Sequence, residues 1–414
     1  MSASSQFHEV RAWPTEVVPS GFRGACMPDS AVPSDPRLIT GAGTSTPAFL
    51  GYLPGDSAGP TRVSSRQEFE EVFLAAEKGA GAAFKDSFLP AAVKHYFDNG
   101  GGYRYLVSKA QAPDPVAAYL GNQSEGTGLA ALEAIPDVKI VVLPDLWAVP
   151  AAAPGIARAV AAHCAKMGNR MALLHTDQGL TARQAAQVPA DLGLNDEDAQ
   201  FTALYYPWVT VPDVDGSIMR SLPPSGGVAG VWSRVDAERG VHTAPANEPL
   251  REVISLEREL TNGEQESLDS VGVNCLRVVT GSRGRMLTRS IQTSNARTLS
   301  NTRDWRYINV RRLVNYLSDS IRQSSTWAVS EPNDDRLRAS LRHSVTSFLT
   351  DQWHQGALLG RTPEEAFYVI CDPTNNPPET PAQGQVICDI GVAPVRPAEF
   401  ITFQVLQTLG QPEN

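Results

Sequence analysis

The sequence predicts an α/β fold with a mostly parallel central sheet, followed by a smaller α+β region. From residue 46 to about residue 206, short apolar runs of β-forming residues alternate with amphipathic stretches, which is the pattern of layered α/β proteins. The apolar runs are nearly continuous, as is typical of parallel strands covered on both faces. The chain has 414 residues and 42% hydrophobic content, which is enough for two or three domains with proper cores.

Five apolar runs predict the strands of this sheet, and four amphipathic segments predict helices between them. The strands are expected at 48–52, 103–107, 139–143, 170–174 and 201–206. The helices are expected at 66–77, 89–97, 154–167 and 181–188. Prolines and glycines between residues 212 and 249 interrupt the pattern, so this passage is predicted to be a loop-rich domain junction.

Beyond residue 250 the pattern changes to long helices and short, separated strands. Two helices are expected, at 305–324 and 333–355. Strands are expected at 275–279, 366–371 and 385–389. This order predicts an α+β region that follows the α/β domain.

Both ends of the chain predict strands that prolines separate from the rest of the protein. The N-terminal strand lies within 7–18, and the C-terminal strand spans 400–406. An apolar strand that cannot pair within its own domain is expected to pair with another chain, although folding back onto its own domain is equally compatible with the composition. The residues predicted to make these arm contacts are Phe7, Val10, Val17, Val18, Phe400, Ile401, Phe403 and Val405.

Charge is distributed very unevenly along the chain. Between Cys275 and Ser330 there are ten arginines and two acidic residues, whereas the whole chain has a formal net charge of −10. A cationic surface on an acidic protein normally binds a polyanionic partner. Nucleic acid is not favoured as that partner, because the chain is acidic overall and has none of the known nucleic-acid-binding modules.

The motifs that could bind a ligand are weak. The segment Asn99–Gly102 follows a predicted helix and precedes a predicted strand, an order that favours a helix C-cap over a phosphate-binding loop. The seven histidines have no metal-ligand spacing. The five cysteines form no Cys-x-x-Cys pair, which favours free thiols in a reducing compartment. No metal site and no cofactor are predicted.

One segment resembles the helix that carries the nucleophile in subtilisin-like proteases. This segment is Pro224–Gly230, and in that alignment the nucleophile position is occupied by Leu222. The chain also lacks the Asp-Thr-Gly and His-Gly-Thr motifs of those proteases. No residue is therefore predicted to be catalytic, because a serine needs a base to activate it.

The N-terminus does not have the charged-then-apolar order of a signal peptide, and no run of eighteen apolar residues occurs. We therefore expect the protein to stay in the cytoplasm where it is made, without direct membrane insertion.

Ordered motifs over most of the chain resemble the tail sheath proteins of contractile phage tails and related contractile injection systems. The resemblance is sparser in the N-terminal half, at Gly43–Phe49 and Phe97–Gly102. In the C-terminal half the matching segments are Leu222–Gly226, Val228–Gly230, Asp236–Val241, Ala244–Asn247, Ala296–Ser300, Trp305–Leu313, Glu331–Asn333, Trp353, Gly356–Leu358, Ala366–Phe367, Cys371–Asp372 and Ala393–Phe400.

This resemblance implies a structural, mechanical function. Sheath subunits stack as hexameric rings around an inner tube protein, and contraction drives the tube through a target membrane. The resemblance also implies baseplate and cap proteins at the sheath ends, and an AAA+ ATPase that acts on the contracted sheath. The particle would assemble in the bacterial cytoplasm, or as the tail of a phage virion. There are two alternative interpretations. The chain could be a subtilisin-like hydrolase that has lost or relocated its site, or it could be a nucleic-acid-binding protein.

The resemblance also implies a division of the chain. The predicted parts are an N-terminal arm (1–22) that donates a strand to a neighbour, an α/β sheath domain (23–250) with the subtilisin-like fold of the family, an inner domain (251–398) and a C-terminal arm (399–414). Family sheaths bind an acidic tube through the inner domain, which gives the arginine-rich stretch a role. The predicted tube-facing residues are Arg285, Arg289, Arg311, Arg312 and Arg322.

Overall fold

The computed structural model describes residues 8–10, 38–53, 59–71, 87–212, 219–283, 286–378 and 385–397. Its strands are β1 (His8–Val10), β2 (Pro47–Gly51), β3 (Thr61–Val63), β4 (Arg104–Ser108), β5 (Ile140–Val142), β6 (Met171–His175), β7 (Thr202–Tyr206), β8 (Val209–Pro212), β9 (Met219–Leu222), β10 (Ser255–Leu256), β11 (Val273–Arg283), β12 (Met286–Thr293), β13 (Phe367–Ile370) and β14 (Asp389–Val392).

The helices lie mainly between these strands. They are α1 (Arg66–Phe69), α2 (Leu89–Asp98), α3 (Pro115–Leu120), α4 (Gly128–Leu132), α5 (Ala153–Met167), α6 (Ala182–Ala185), α7 (Val188–Leu192), α8 (Asp196–Ala199), α9 (Ser225–Arg239), α10 (Asn262–Ser270), α11 (Ile308–Ser324), α12 (Asp335–His354) and α13 (Pro363–Ala366).

An eight-stranded sheet forms the centre of the molecule, in the order β12-β11-β7-β6-β5-β2-β4-β3. Its inner neighbours pair in parallel, and only the edge strands β3 and β12 are antiparallel to their neighbours. The predicted α/β fold with a mostly parallel sheet is therefore confirmed. All five predicted strands of the first domain coincide with β2, β4, β5, β6 and β7 to within one residue at each end.

Both faces of this sheet are buried, because alternate residues of each strand enter two different cores. Phe49 belongs to the core on one face, whereas Ala48 and Leu50 belong to the core on the other. Helices α2 and α9 cover the first face, and α5 covers the second. Burial on both faces explains why these strands have nearly continuous apolar sequences.

The predicted loop-rich junction at 212–249 is wrong, because this passage contains the buried helix α9. A Cβ atom at Gly226 would lie 2.5 Å from the backbone oxygen of Ala92, and one at Gly230 would lie 2.4 Å from that of Tyr96. The glycines therefore permit α9 to pack directly against the backbone of α2. They disfavour a helix locally, and the packing between the two helices outweighs that preference.

The structure also corrects the predicted domain boundary at residue 250. Strand β11 pairs in parallel with β7, and β12 pairs with β11, so residues 273–293 belong to the sheet of the α/β domain. The boundary therefore lies after residue 293. Sequence reasoning missed this because β11 joins the sheet only after the long insertion that contains α9.

The remaining region is smaller and contains the two predicted long helices, as α11 and α12. A three-stranded antiparallel sheet, in the order β1-β14-β13, lies beside them. The strand predicted at 385–389 begins only at Asp389. The helix predicted at 181–188 is divided into α6 and α7, and Pro189 lies at the start of α7. Of the helix predicted at 66–77, the structure assigns Arg66–Phe69 to α1, and residues from 72 lie outside the described part.

We predict that Gly230→Ala destabilises the protein by about 1–3 kcal/mol, because the added methyl group has to displace the backbone of α2. The free energy of unfolding, measured by urea denaturation, checks this. Gly263→Ala is the matched control, since no atom lies within 4 Å of a Cβ placed there. The control should change stability by less than about 1 kcal/mol. Equal effects of both substitutions would contradict the packing argument.

Candidate functional site

The arginine-rich stretch does not form one exposed surface. Arg311 and Arg312, at the start of α11, are only 7% and 4% exposed. Their prediction as tube-facing residues is therefore wrong for this structure, because both side chains extend into the α/β domain. They belong to a contact that we call the domain seam, formed by Arg311, Arg312 and Asp319 on α11 and by their partners on the α/β domain.

Arg311 is held between aromatic rings and not by an acid. Its guanidinium carbon lies 4.0 Å from the ring centroid of Trp305 and 4.6 Å from that of Phe201. The Nη1 group donates to Oε1 of Gln200 at 3.0 Å, and Nε donates to Oδ1 of Asn315 at 2.9 Å. Burial lowers the pKa of Arg311 to about 9, so the side chain is still a cation at neutral pH, stabilised by the π faces.

Arg312 forms a bidentate ion pair with Asp236 of α9. The two hydrogen bonds, from Nη1 to Oδ1 and from Nη2 to Oδ2, measure 2.9 and 2.5 Å. Nη2 also donates to the backbone oxygen of Thr44 at 3.2 Å, and the guanidinium lies over Trp232 at 4.7 Å. This one side chain therefore connects α11 to α9 and to the segment before β2.

A second ion pair lies further along α11, between Asp319 and Lys139. Lys139 also donates to the backbone oxygen of Pro136 at 2.7 Å. Arg322 and Gln323 donate to the same carboxylate at 2.6 and 2.8 Å. Burial opposes ionisation of Asp319, but the hydrogen bond and the charge of Lys139 outweigh it, so the pKa of Asp319 is below its ordinary value. Asp319 is therefore a buried carboxylate with charged partners on two sides.

Two of the predicted tube-facing arginines are exposed. Arg289, on β12, pairs with Glu259, and the two side chains are 55% and 63% exposed. Arg322 pairs with the buried Asp319, while its own side chain is 63% exposed. Arg285 lies outside the described residues. Asp319 is one of the two acids within the stretch, whereas Glu259 and Asp236 lie 30 and 76 residues from their arginine partners. A charge count along the stretch does not detect these two.

The N-terminal strand of the chain is paired within the same chain. Val10 lies opposite Ile390 in the antiparallel pairing of β1 with β14. For this strand the structure of the single chain thus shows the fold-back arrangement, one of the two that the sequence allows. The other predicted arm residues lie outside the described part of the chain: Phe7, Val17, Val18, Phe400, Ile401, Phe403 and Val405.

The structure brings together one serine and one histidine that the sequence analysis did not pair. Oγ of Ser225, at the start of α9, lies 3.2 Å from Nδ1 of His175 at the end of β6. Both residues are 0% exposed, and burial lowers the pKa of His175 to about 3. A base with so low a pKa accepts a proton poorly. Leu222, at the position of the subtilisin nucleophile, is also 0% exposed, so neither arrangement is open to a substrate.

In doubly wound α/β folds, ligands bind at the carboxyl ends of the strands where the strand order reverses. Here that point lies between β2 and β5, and it is occupied by the chain itself. The carboxylate of Asp145 accepts hydrogen bonds from Oγ of Ser87 at 2.5 Å and from the backbone N–H of Phe88 at 2.7 Å. A Cβ at Gly51 would lie only 2.7 Å from the side chain of Leu89. The N-terminus of α2 therefore fills the position of a ligand, and Asp145 complements its dipole.

The glycine-rich segment after α2 is a helix C-cap, as predicted. Gly100 has φ +95°, and its N–H donates to the backbone oxygen of Phe97 at 3.0 Å. Within the described ranges, no group of three or more His, Cys, Asp or Glu side chains is arranged to bind a metal ion. In the same ranges, no helix has the length and apolar character needed to span a bilayer.

Comparison with known families identifies the class of this fold. The profile described as "Phage tail sheath protein central domain" matches residues 121–291. The profile described as "Phage tail sheath C-terminal domain" matches residues 300–408. Together they cover more than half of the chain, and the chain therefore belongs to the phage tail sheath protein family. The gap between the two matches agrees with a domain boundary after residue 293.

Individual sheath proteins show the same similarity. The tail sheath protein of Burkholderia phage BcepMu is 30% identical over 205 residues, which are 49% of this chain and 41% of that protein. The chain aligns with less than half of the length of each of four curated relatives, between 27% and 49%.

Solved sheath structures align over nearly the whole chain. The sheath of the anti-feeding prophage in its contracted state is 28% identical, with a TM-score of 0.70, and the match covers 94% of this chain and 100% of that one. The contracted PVC sheath complex of an extracellular contractile injection system is 25% identical, also with a TM-score of 0.70, and the match covers 95% and 99%. The compared sheath proteins are structural components, and two of these solved structures are of assembled sheath.

We predict that Asp236→Asn and Arg312→Met each lower the free energy of unfolding by about 3–5 kcal/mol, since each leaves one buried charge without its counter-ion. The double variant should lose less than the sum of the two. Tryptophan fluorescence during urea denaturation measures the effect, because Trp232 is next to the pair.

Arg289→Ala is the matched control for this prediction. It also removes an arginine from an ion pair, but that pair is exposed, so the cost should stay below about 1 kcal/mol. If the seam variants cost no more than the control, the seam would not depend on this ion pair.

Proposed function

We propose that the chain is a structural sheath subunit that polymerises as stacked hexameric rings around an inner tube and contracts to drive the tube through a target membrane. The observation that supports this most directly is the similarity over 94–95% of the chain to sheaths solved in the contracted state. A catalytic function has no comparable support, because the Ser225–His175 pair is enclosed in the core.

The domain seam suits a subunit that transmits force. Three charged side chains of α11 contact the α/β domain, and each would lose its partners in that domain if the two domains slid past one another. Breaking a buried ion pair leaves an uncompensated charge, which costs about 3–5 kcal/mol. The two domains therefore move as one body. When the subunits rearrange, the contacts between subunits change and the contact between the two domains of a subunit does not.

The three-stranded sheet β1-β14-β13 is the proposed connection between subunits. In the described part of the chain, β1 occupies the outer position beside β14 through three residue pairs. Each backbone hydrogen bond contributes about 0.5–1.5 kcal/mol net, so this pairing is weak enough to be exchanged for the arm of a neighbour. Strand exchange of this kind would keep subunits linked while their bodies change contacts.

The predicted tube-facing arginines other than the buried Arg311 and Arg312 form the proposed tube contact. The side chains of Arg289 and Arg322 are exposed, and each forms an ion pair within the chain. Arg285 is the third candidate. Exposed ion pairs contribute only about 0–1 kcal/mol each, which suits a contact that has to be released during contraction. Contraction itself then follows from more extensive contacts between subunits in the contracted lattice, without nucleotide hydrolysis in the stroke.

The proposed partners are the inner tube protein, baseplate and cap proteins at the sheath ends, and an AAA+ ATPase that recycles the contracted sheath. The particle would be assembled in the bacterial cytoplasm. Nucleic acid is not among the proposed partners, because the arginines of the charged stretch are largely used within the protein, with Asp236, Glu259 and Asp319 as acidic partners.

We predict that removing residues 1–20, or residues 401–414, abolishes hollow cylinders seen by negative-stain electron microscopy of the expressed protein. Circular dichroism should show that both truncated chains remain folded, because the central sheet lies outside the deleted segments. The full-length chain should form cylinders under the same conditions. Cylinders that persist after both deletions would contradict a role of the arms in assembly.

We predict that Arg289→Glu combined with Arg322→Glu weakens attachment to the tube more than self-assembly of the sheath. Co-sedimentation of tube protein with sheath measures attachment, and electron microscopy measures assembly. Arg183→Glu is the matched control, since Arg183 is exposed and lies outside the charged stretch. Loss of assembly and attachment to the same extent would assign the two arginines to contacts between subunits.

A further inference from the structure

Two cysteines lie directly after β13 and directly before β14. The antiparallel register of these strands places Ile370 opposite Asp389, so the next pair outward is Cys371 opposite Cys388. Directly opposite residues of antiparallel strands have Cα atoms about 4.5–5.5 Å apart. A disulfide requires a Cα separation of about 4.4–6.8 Å, and the register of the two strands, continued by one pair, gives that spacing.

The side chains also meet. Cys371 and Cys388 pack in the same small apolar cluster as Leu337 and Leu341 of α12. The thiol of Cys388 donates a hydrogen bond to the sulfur of Cys371, which lowers the pKa of Cys371 and raises that of Cys388. The pair therefore loses its first proton more readily than an isolated buried thiol.

The backbone around the pair is held in place by two asparagines. Nδ2 of Asn375 donates to the backbone oxygen of Ile370 at 2.8 Å. Asn376 exchanges two hydrogen bonds with the backbone of Ile387, at 2.8 and 2.7 Å. Both strands are thus fixed on each side of the cysteines, and cross-linking needs no large movement.

The other described cysteines provide an internal contrast. Cys164 and Cys275 are 0% exposed, and burial raises the pKa of each to about 12. Cys388, by comparison, is partly exposed, so a small oxidant can reach the pair from its side. Reactivity of cysteine follows thiolate character and access. Thiolate character favours Cys371, whose pKa is lowered, and access favours its neighbour Cys388.

We propose that Cys371 and Cys388 form a reversible disulfide when the protein meets a low-molecular-weight disulfide such as oxidised glutathione. One cysteine thiolate attacks a sulfur of the glutathione disulfide, whose S–S bond breaks and releases one glutathione thiolate. The other cysteine thiolate then attacks the cysteine sulfur of this mixed disulfide, whose S–S bond breaks, and the second glutathione leaves as a thiolate. Two protein thiols are oxidised to one disulfide, and one glutathione disulfide is reduced to two thiols, which take up the two protons.

The cross-link would join β13 covalently to β14, the strand that pairs with β1. It would close the loop between the two strands, since residues 372–387 lie between the cysteines, and closing a loop stabilises the folded state. Oxidation would thereby stabilise the small sheet with which the N-terminal strand β1 pairs. This inference concerns the single chain and does not depend on sheath assembly.

The test is oxidation of the reduced full-length protein with oxidised glutathione, followed by alkylation of free thiols and peptide mass spectrometry. We expect a peptide in which residues 371 and 388 are linked, and unreacted Cys164 and Cys275. The oxidised protein should melt roughly 5 °C higher than the reduced protein, and reduction with dithiothreitol should reverse the shift.

Variants distinguish this pair from other thiols. Cys388→Ser and Cys371→Ser should both abolish the linked peptide and the shift in melting temperature, whereas Cys164→Ser should preserve them. Free thiols at both positions after equilibration with excess oxidised glutathione would overturn the proposal. So would a link from either cysteine to Cys26, or a glutathione adduct that stays on Cys388.

Discussion

The structure depends on one constraint: three charged side chains of helix α11 are buried in the α/β domain and must find partners there. Arg312 meets Asp236, Asp319 meets Lys139, and Arg311 lies between Trp305 and Phe201. Burying an ion pair gains little stability, because desolvation offsets the attraction. The partners nevertheless fix the position of α11, since a shift by one residue would leave several charges unpaired inside the protein.

Both faces of the sheet in the α/β domain are covered by closely packed helices. Its glycine-containing helix α9 packs against the backbone of α2, and the N-terminus of α2 in turn fills the place where related folds bind ligands. The small sheet beside α11 differs from this domain. Among the residues that the structure describes, its outer strand β1 forms three residue pairs with β14, and a pair of cysteines flanks the other two strands.

Part of the fold could be read directly from the sequence. Five strands of the sheet, β2, β4, β5, β6 and β7, were predicted to within one residue at each end, because strands buried on both faces need continuous apolar residues and leave a clear signal. Helices α11 and α12 were predicted for a similar reason, since a helix with one buried face repeats its apolar residues every three to four positions. The family resemblance, confirmed by two sheath profiles, rests on motifs spread over most of the chain.

What the sequence by itself determined was the class of fold, the position of its main elements and the family. Only the tertiary structure decided that 225–239 is a buried helix, that the sheet continues to residue 293, and that Arg311 and Arg312 point inward. The physical reason is the same in each case. The neighbours in sequence do not determine the structural role of a glycine, an edge strand or an arginine. That role depends on a contact with a residue far away in sequence, such as Ala92, Tyr206 or Asp236.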